Sequence, residues 1–176
     1  MNIDQLKIIH YPEPILREVA RPIASITPEI RRVVKKMLEL MKEAEGIGLA
    51  APQVGLPWRM FVTRDIISPD KKQDLVFINP VLIEPSTQLA DAEEGCLSLP
   101  ELKADIRRPK QITIRAIGLD GKPFEMISDD LLARVWQHET DHLDGVLIID
   151  RMPPADRLAC KRLLRELEQS FEAKGA

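Results

Sequence analysis

The feature that most constrains this chain is an H-E-x-x-H pattern that begins at His138. Residues four apart on an α-helix lie on the same face, so His138 and His142 can reach one metal ion, with Glu139 beside a water molecule. Burying two imidazoles and a carboxylate together is unfavourable unless a cation compensates for it. The pattern therefore favours a metal site over the alternative, a pair of hydrogen-bonded core histidines.

The residues around this pattern predict a helix from about 129 to 143. Ser128 is placed to cap its start, and Gly145 can take the left-handed conformation just past its end. Leu131 and Val135 precede the two histidines at helical spacing, so the histidine face is expected to continue a buried stripe. We therefore expect this helix to lie at the centre of the fold.

Length and composition restrict the class of protein. The 176 residues are enough for one domain with a hydrophobic core, and we expect residues 1–176 to form a single catalytic domain. The net charge of −3 gives no sign of DNA binding or of an anionic membrane surface. No apolar run has the length of a membrane span, and the amino terminus lacks a signal peptide's apolar core. Two distant cysteines fit a reducing cytoplasm.

A long helix is predicted near the amino terminus. Thr27 can cap it, Pro28 suits its first position and Gly46 is expected to end it. Its apolar positions recur at helical spacing. A second amphipathic helix is predicted at the carboxyl end, with an inner stripe made of Leu163, Leu164, Leu167 and Phe171.

The middle of the chain predicts strands joined by short connections. An exposed turn is expected at 68–72, Asn79-Pro80 is expected to end a strand, and Asp120-Gly121 predicts a hairpin turn. Short connections exclude repeated crossover helices, so the class is α+β, with mixed or antiparallel sheets packed around the central metal-binding helix. The strands are predicted at 58–63, at 75–78, from 81, at 112–117 and at 123–127.

A catalytic metal site normally uses three protein ligands and leaves one position for water. Cys96, in an unusual Glu-Gly-Cys-Leu-Ser context, is the better candidate for the third ligand, although a free cysteine is most often a small buried hydrophobe. Glu166 and Glu168 would suit a metalloprotease, but a solvated charge pattern on the terminal helix explains them. Cys160 fits a packing role.

The loop 46–55 contains three glycines and allows its backbone to approach another group closely. Two interpretations remain open for it. It is either a tightly packed connection between a helix and a strand, or a backbone surface that binds an extended peptide, with Gln53 offering a side-chain amide.

Three stretches together resemble the three motifs of the peptide deformylase family: GIGLAAPQ at 46–53, EGCLS at 94–98 and QHETDH at 137–142. They occur in the family's order and at similar separations. The opening 11–17 also resembles the family's start, and the terminal helix resembles that of the bacterial type 1 branch. The resemblance covers nearly the whole chain.

This resemblance implies an enzyme that hydrolyses the N-formyl group from N-formylmethionine at the start of newly made polypeptides. It implies that Cys96, His138 and His142 hold one divalent metal ion. Ferrous iron is the implied metal, with nickel or cobalt as good substitutes and zinc poorer, although the ligand types alone would suggest zinc.

The resemblance also assigns roles around the ion. Glu139 is the implied general base, while the Leu97 N–H and the Gln53 amide are the implied donors to the formyl oxygen. Backbone near Ile47 and Gly48 would pair with the extended peptide like an added strand. Contact with the ribosome near the nascent-chain exit is implied as well.

Overall fold

The computed structural model describes residues 2–64, 66 and 74–175, so the exposed turn predicted at 68–72 lies outside the described residues. Its elements combine helices with antiparallel strands, which confirms the predicted α+β class. The amino-terminal arm contains a short 3-10 helix at Ile3–Gln5 and a second at Pro14–Arg17, where Leu16 is fully buried.

Helix α1, Pro28–Glu43, forms as its sequence predicts. The Thr27 Oγ1 accepts a hydrogen bond of 3.3 Å from the Ile30 N–H, and Pro28 occupies the first turn. The helix ends before Gly46. Glu45 adopts a left-handed φ of 55°, and the N–H groups of Glu45 and Gly46 bond to carbonyls of the last turn. The apolar face is buried at Ile30, Val33, Val34, Met37 and Met41.

The larger sheet has five antiparallel strands in the order β1-β2-β3-β6-β7 within the described residues. Strand β1 lies at one edge of this sheet, next to the loop that follows α1. Its backbone therefore faces the exterior of the sheet on one side. The strands are β1 Gly48–Ala50, β2 Met60–Thr63, β3 Leu75–Ile83, β6 Ile112–Ile117 and β7 Pro123–Ser128.

Asn79-Pro80 was expected to end a strand, and this prediction is wrong. Strand β3 continues through both residues, and the pairing with β6 shifts register between Ile78 and Val81. Asn79 takes a φ of 50°, and its side chain bonds the Ile23 N–H and C=O at 2.8 Å each. A bulge fixed by an asparagine amide therefore replaces the expected break.

A separate two-stranded sheet is formed by β4, Leu89–Cys96, and β5, Leu99–Pro109. Sequence analysis does not identify β5, because charged residues interrupt its apolar ones. The missed signal is the alternation of Leu102, Ala104 and Ile106, whose side chains are buried while the residues between them are exposed.

Helix α2, Leu131–Leu143, carries the H-E-x-x-H pattern but begins two residues later than predicted. Its cap is Asp130, which accepts from the Leu132 N–H at 2.9 Å; the Ser128 hydroxyl bonds Asp130 instead of the helix. Gly145 has the expected left-handed φ, at 70°. Val135 is buried, but Leu131 is 49% exposed, so the buried stripe does not extend to the first turn.

Helix α2 lies between the two sheets. Trp136 is fully buried against the five-stranded sheet, with its ring 5.9 Å from that of Phe77. This packing fixes the rotation of α2 about its axis and turns the histidine face toward the β4–β5 hairpin.

The carboxyl-terminal part contains α3, Ile148–Arg151, α4, Pro154–Ala159, and α5, Lys161–Gly175. Leu163, Leu164 and Leu167 of the predicted terminal stripe pack against the core cluster that includes β5 and α3. Phe171, the fourth member of the stripe, is half-buried and lies outside this cluster. Among the helices that the structure describes, none combines the length and the hydrophobicity of a membrane-spanning segment.

Candidate metal centre

The structure brings together the three side chains predicted as metal ligands. His138 and His142 project from one face of α2, and Cys96 ends β4 at the hairpin turn. The Cys96 Sγ lies 3.3 Å from the His142 Nε2, and one ligand atom from each of the three residues lies within 4.8 Å of the others. The two imidazole rings are 4.9 Å apart and nearly perpendicular.

These residues fit a divalent ion. A tetrahedral site with ordinary metal–sulfur and metal–nitrogen bonds separates sulfur from nitrogen by about 3.6 Å, close to the Cys96–His142 distance. A thiolate and two imidazoles are the donor types that zinc and iron accept. The Glu139 Oε2 is buried beside them without a hydrogen-bond partner among the described residues, as a group awaiting a water molecule would be.

Glu94 orients the first histidine. Its Oε2 lies 3.0 Å from the His138 Nδ1, and since a carboxylate only accepts, the Nδ1–H donates and leaves Nε2 available as a ligand. Burial raises the pKa of Glu94, but the hydrogen bonds from His138 and Arg108 outweigh it and lower the pKa to about 2. Glu94 is therefore a carboxylate at any working pH.

A network of charges, buried at its centre, connects this carboxylate to three arginines. Arg108 donates two hydrogen bonds to Glu94, at 2.7 and 2.9 Å, and a third to Asp141 at 2.8 Å. Arg134 also donates to Glu94, and Arg151 donates to Asp141. Sequence analysis missed this network, although Arg108 occupies an inward position of the β5 alternation, where an unpaired charge would be unfavourable.

The two histidines have opposite protonation tendencies. Burial opposes a charge on His138, but bonding to Cys96 and Glu94 outweighs it and raises its pKa to about 10. Burial and the charge on His138 hold the pKa of His142 well below its usual range. Without a metal the site therefore holds a proton on His138, and binding a cation would release it.

Glu139 is the buried acid next to these histidines. Burial is the largest influence and raises its pKa to about 7, although the charge on His138 opposes this rise. Its carboxylate lies against the backbone of Gly48, where an added Cβ would be 2.4 Å from the Glu139 Oε1. Gly48 is therefore needed for the close approach of the Glu139 carboxylate to the 46–55 loop. This favours the interpretation of that loop as part of a functional site.

Gln53 points its side-chain amide into the same site. The Oε1 accepts from the Ala50 N–H at 2.8 Å, and the Nε2 lies 3.7 Å from the Cys96 Sγ and 3.2 Å from the Ser98 Oγ. Leu97 follows Cys96 in the turn that joins β4 to β5. Both predicted donor residues therefore border the cluster of ligand atoms.

A cavity of about 460 Å³ opens beside the cluster. Ile47 and Gly48 line one side of it at the start of the edge strand β1, and Leu131 and Val135 line it from α2. The cavity also borders Cys96, His138 and Glu139. An extended, partly apolar ligand could therefore lie along β1 with one end at the cluster.

The alternative third ligand is not brought to the site. Glu166 lies on α5 and pairs with Arg162 at 2.8 Å, four residues away, and the Arg162 side chain is almost fully exposed. Cys160 packs with the carboxyl-terminal core, as the packing interpretation predicts. Of the two cysteines, Cys96 is the one that meets the histidines.

Known proteins share this sequence and this fold. The sequence model of the polypeptide deformylase family matches residues 5–158. The peptide deformylase of Hamiltonella defensa is 43% identical over 169 residues, which are 96% of this chain and 97% of that protein. That of Acidobacterium capsulatum is 41% identical over 165 residues, 94% of this chain and 96% of that protein.

Solved structures of peptide deformylases have a similar fold. A peptide deformylase from Plasmodium falciparum superposes with a TM-score of 0.91 at 35% identity, covering 97% of this chain and 99% of the other. One from Legionella pneumophila gives a TM-score of 0.85 at 35% identity, covering 95% and 97%. On its sequence motifs, its fold and these relatives, the chain belongs to the polypeptide deformylase family.

Proposed function

We propose that Cys96, His138 and His142 hold one divalent metal ion, and that with it this chain, a peptide deformylase, removes the N-formyl group from newly made polypeptides. The observation that carries the proposal is the approach of three ligand atoms to within 4.8 Å of one another, beside the buried carboxyl group of Glu139, whose pKa is raised by burial to about 7. When bound, the ion supplies Lewis-acid polarisation and makes a water molecule more acidic.

Glu139 takes the proton of the attacking water and returns it to the leaving amine. Without metal, burial raises its pKa to about 7, and a buried carboxylate of this kind accepts a proton more readily than one in solvent. Its position against Gly48 keeps the carboxylate beside the cavity instead of in solvent.

Gln53 and Leu97 stabilise the charge that grows on the formyl oxygen during attack. The Gln53 amide is directed to the ligand cluster by its own hydrogen bonds, and the Leu97 N–H belongs to the turn next to Cys96. One such donor typically lowers the activation barrier by about 3–4 kcal/mol.

The peptide lies along β1 and pairs with the backbone near Ile47 and Gly48. Strand β1 is at the edge of its sheet, where an extended chain can add as a further strand. Backbone pairing accounts for tolerance of sequence beyond the first residue. The methionine side chain occupies the apolar part of the cavity near Val135.

Ferrous iron is the proposed native metal, with nickel, cobalt or zinc able to replace it. The support is the family resemblance, since the ligand set alone also suits zinc. Metal analysis of protein purified without oxygen, combined with a formate-release assay, tests the choice. Zinc as the native metal with full activity would contradict it. Oxidation of Cys96 would destroy a ligand, so we expect loss of activity in air.

The decisive experiment is Glu139→Gln, assayed for formate release from a formyl-methionyl peptide. We expect the metal to remain bound while kcat falls by about 10²–10⁴. A protein that only binds peptides or keeps a structural metal would release no formate even before the substitution. Unchanged turnover with metal retained would show that Glu139 is not the base.

A second substitution separates this proposal from a metalloprotease that uses Glu166. Cys96→Ala should abolish both metal binding and formate release. Glu166→Ala is the matched control and should change neither, because Glu166 is paired with Arg162 on the outer face of α5. A metalloprotease that uses Glu166 predicts the reverse for the metal: it should stay bound in Cys96→Ala and be lost in Glu166→Ala.

We also propose a cytoplasmic location and contact with the ribosome through α5. Lys161, Arg162 and Arg165 are exposed on this helix and could meet a negatively charged surface. The alternative is an ordinary solvated helix face. Cosedimentation with ribosomes, compared between the natural protein and Lys161→Glu/Arg165→Glu, tests the contact; equal cosedimentation would contradict it.

A further inference from the structure

Gln53 has a defined amide orientation, and Ser98 is one of the groups that define it. The Ala50 backbone N–H can only donate, so the atom it contacts must be the Gln53 oxygen, and the nitrogen must face Cys96 and Ser98. The Gln53 Nε2 lies 3.2 Å from the Ser98 Oγ. Gln53 and Ser98 are 1% and 0% exposed, so water does not compete for these bonds.

We propose that Ser98 is a positioning residue for the deformylase reaction, whose hydroxyl acts through Gln53. This inference rests on the proposed function of the site. The Gln53 Nε2 carries two hydrogens. The Ser98 hydroxyl accepts one of them, and this directs the second hydrogen toward the Cys96 side, where the formyl oxygen would lie.

The amino-terminal arm holds the two residues together. The Ile9 N–H donates to the Gln53 carbonyl at 2.9 Å, and the Tyr11 N–H donates to the Ser98 carbonyl at 2.9 Å. One extended segment thus bonds both the 3-10 helix that carries Gln53 and the turn that carries Ser98. The side-chain contact between them is therefore set by a backbone frame and not by side-chain packing alone.

The hydrogen bond between Gln53 and Ser98 determines how the Gln53 amide can act in catalysis. Without the Ser98 hydroxyl, one hydrogen of this buried amide would have no partner. The bond from the Ala50 N–H would still hold the Gln53 oxygen, but the amide could tilt and move its second hydrogen away from the reacting oxygen. A donor that is already directed needs no reorganisation when charge develops. Ser98 therefore affects turnover, whereas it makes no contact that would change the binding of the peptide along β1.

The first test compares Ser98→Ala with a matched pair, Ser98→Thr and Ser98→Val, which differ from each other in the hydroxyl but not in size. We expect Ser98→Ala to lower kcat about tenfold with KM within about twofold, the effect of one neutral hydrogen bond. Thr should keep more activity than Val by a similar factor. If the Ala variant does not fold, the Thr and Val pair decides.

A double-mutant cycle shows whether Ser98 acts through Gln53. Gln53→Ala alone should lower kcat by about 10²–10³. Adding Ser98→Ala in that background should change kcat less than about twofold, since the group it positions is gone. An equal loss in both backgrounds, or no loss in the natural background, would overturn the proposal.

The final readout does not depend on activity. In metal-free protein labelled with ¹⁵N-glutamine, the Gln53 amide hydrogen bonded to Ser98 should shift upfield in Ser98→Ala and Ser98→Val but not in Ser98→Thr. An unchanged resonance in both would contradict the proposed bond. If the natural enzyme releases no formate, the proposed function fails, and this spectrum still decides on Ser98.

Discussion

Glu139 derives its chemistry from where it is buried. It is 4% exposed, lies against the backbone of Gly48 and has a pKa of about 7 because burial disfavours its charge. A glutamate in solvent would be fully ionised at neutral pH and would be a weak base. The residue type comes from the H-E-x-x-H pattern, whereas the pKa comes from the loop that covers it.

The pKa of Glu139 predicts how stability depends on pH without metal. Folding raises this pKa from 4.5 to about 7. The folded state therefore binds the proton more tightly, and the contribution is complete below pH 4.5 and is lost as pH rises through 7. Metal-free Glu139→Gln should thus exceed the natural protein in unfolding free energy at pH 8, by up to about 3 kcal/mol. Denaturant titrations at pH 4 and pH 8 measure this, and equal pH dependence of the two proteins would contradict it.

Gly48 predicts a steric effect on the same carboxylate. A Cβ at this position would meet the Glu139 Oε1 at 2.4 Å, so Gly48→Ala must displace the carboxylate that we propose as the base. A displacement of about 1 Å can lower a rate about 10²-fold, and we expect a kcat loss of that order with metal retained. The control is Gly95→Ala, where the nearest atom is 3.8 Å away, and it should change kcat far less. Similar effects of the two substitutions would exclude the steric explanation.

At the scale of elements, the end of α2 is joined to the amino-terminal segment. The Ala20 N–H donates to the Leu143 carbonyl at 2.8 Å. A residue far away in sequence therefore provides the hydrogen-bond partner for one of the carbonyl groups in the last turn of α2. Gly145 follows with a φ of 70°, and an added Cβ would lie 2.5 Å from the Arg17 carbonyl oxygen. The position of α2 therefore depends on the hydrogen bond from Ala20 and on the close approach of Arg17 to Gly145.

This junction predicts different effects at two left-handed glycines. Gly121 has a φ of 83° with open space around it, so Gly121→Ala should cost only the conformational strain of about 1–2 kcal/mol. Gly145→Ala adds a clash with backbone and should destabilise the protein by at least about twice as much. Chemical denaturation of both variants measures the difference. Equal losses would mean that the segment at Arg17 moves aside freely.

At the scale of the whole molecule, Arg108 connects the elements that build the site. It is 4% exposed and pairs Glu94 on β4 with Asp141 on α2, while Arg151 of α3 bonds the same Asp141. Removing one partner of a buried ion pair leaves charges without compensation. The hairpin with Cys96 and the helix with the histidines are thus held in register by charge as well as by apolar packing.

Arg108→Met should therefore destabilise the protein by about 3–5 kcal/mol. It should also weaken Co²⁺ binding by about 10–100-fold, because Glu94 would no longer be held against His138. Arg107→Met is the adjacent control: Arg107 is exposed and pairs with Asp91 on the surface, so both quantities should change little. Thermal denaturation and metal titration measure the two effects. A larger effect at Arg107 would refute the role of the network.

The sequence by itself determined the elements with strong local signals. Thr27-Pro28 and the apolar spacing after them specify α1, and the H-E-x-x-H spacing places His138 and His142 on one face of α2. The bulge at Asn79 escaped prediction because it depends on what the Asn79 amide meets in the fold. Strand β5 escaped prediction because charged residues obscure the alternation of its apolar ones. That residues 1–176 form a single domain stays a prediction.

Only the tertiary structure decided how the site is assembled. Cys96 and His142 are far apart in sequence, and nothing local specifies that they approach to 3.3 Å. The same holds for Glu94 with Arg108, for Gln53 with Ser98 and for Gly48 with Glu139. Local spacing can specify residues that share one element, because backbone geometry relates them directly. Contacts between elements depend instead on how buried surfaces and charges are satisfied together, which is a property of the whole fold.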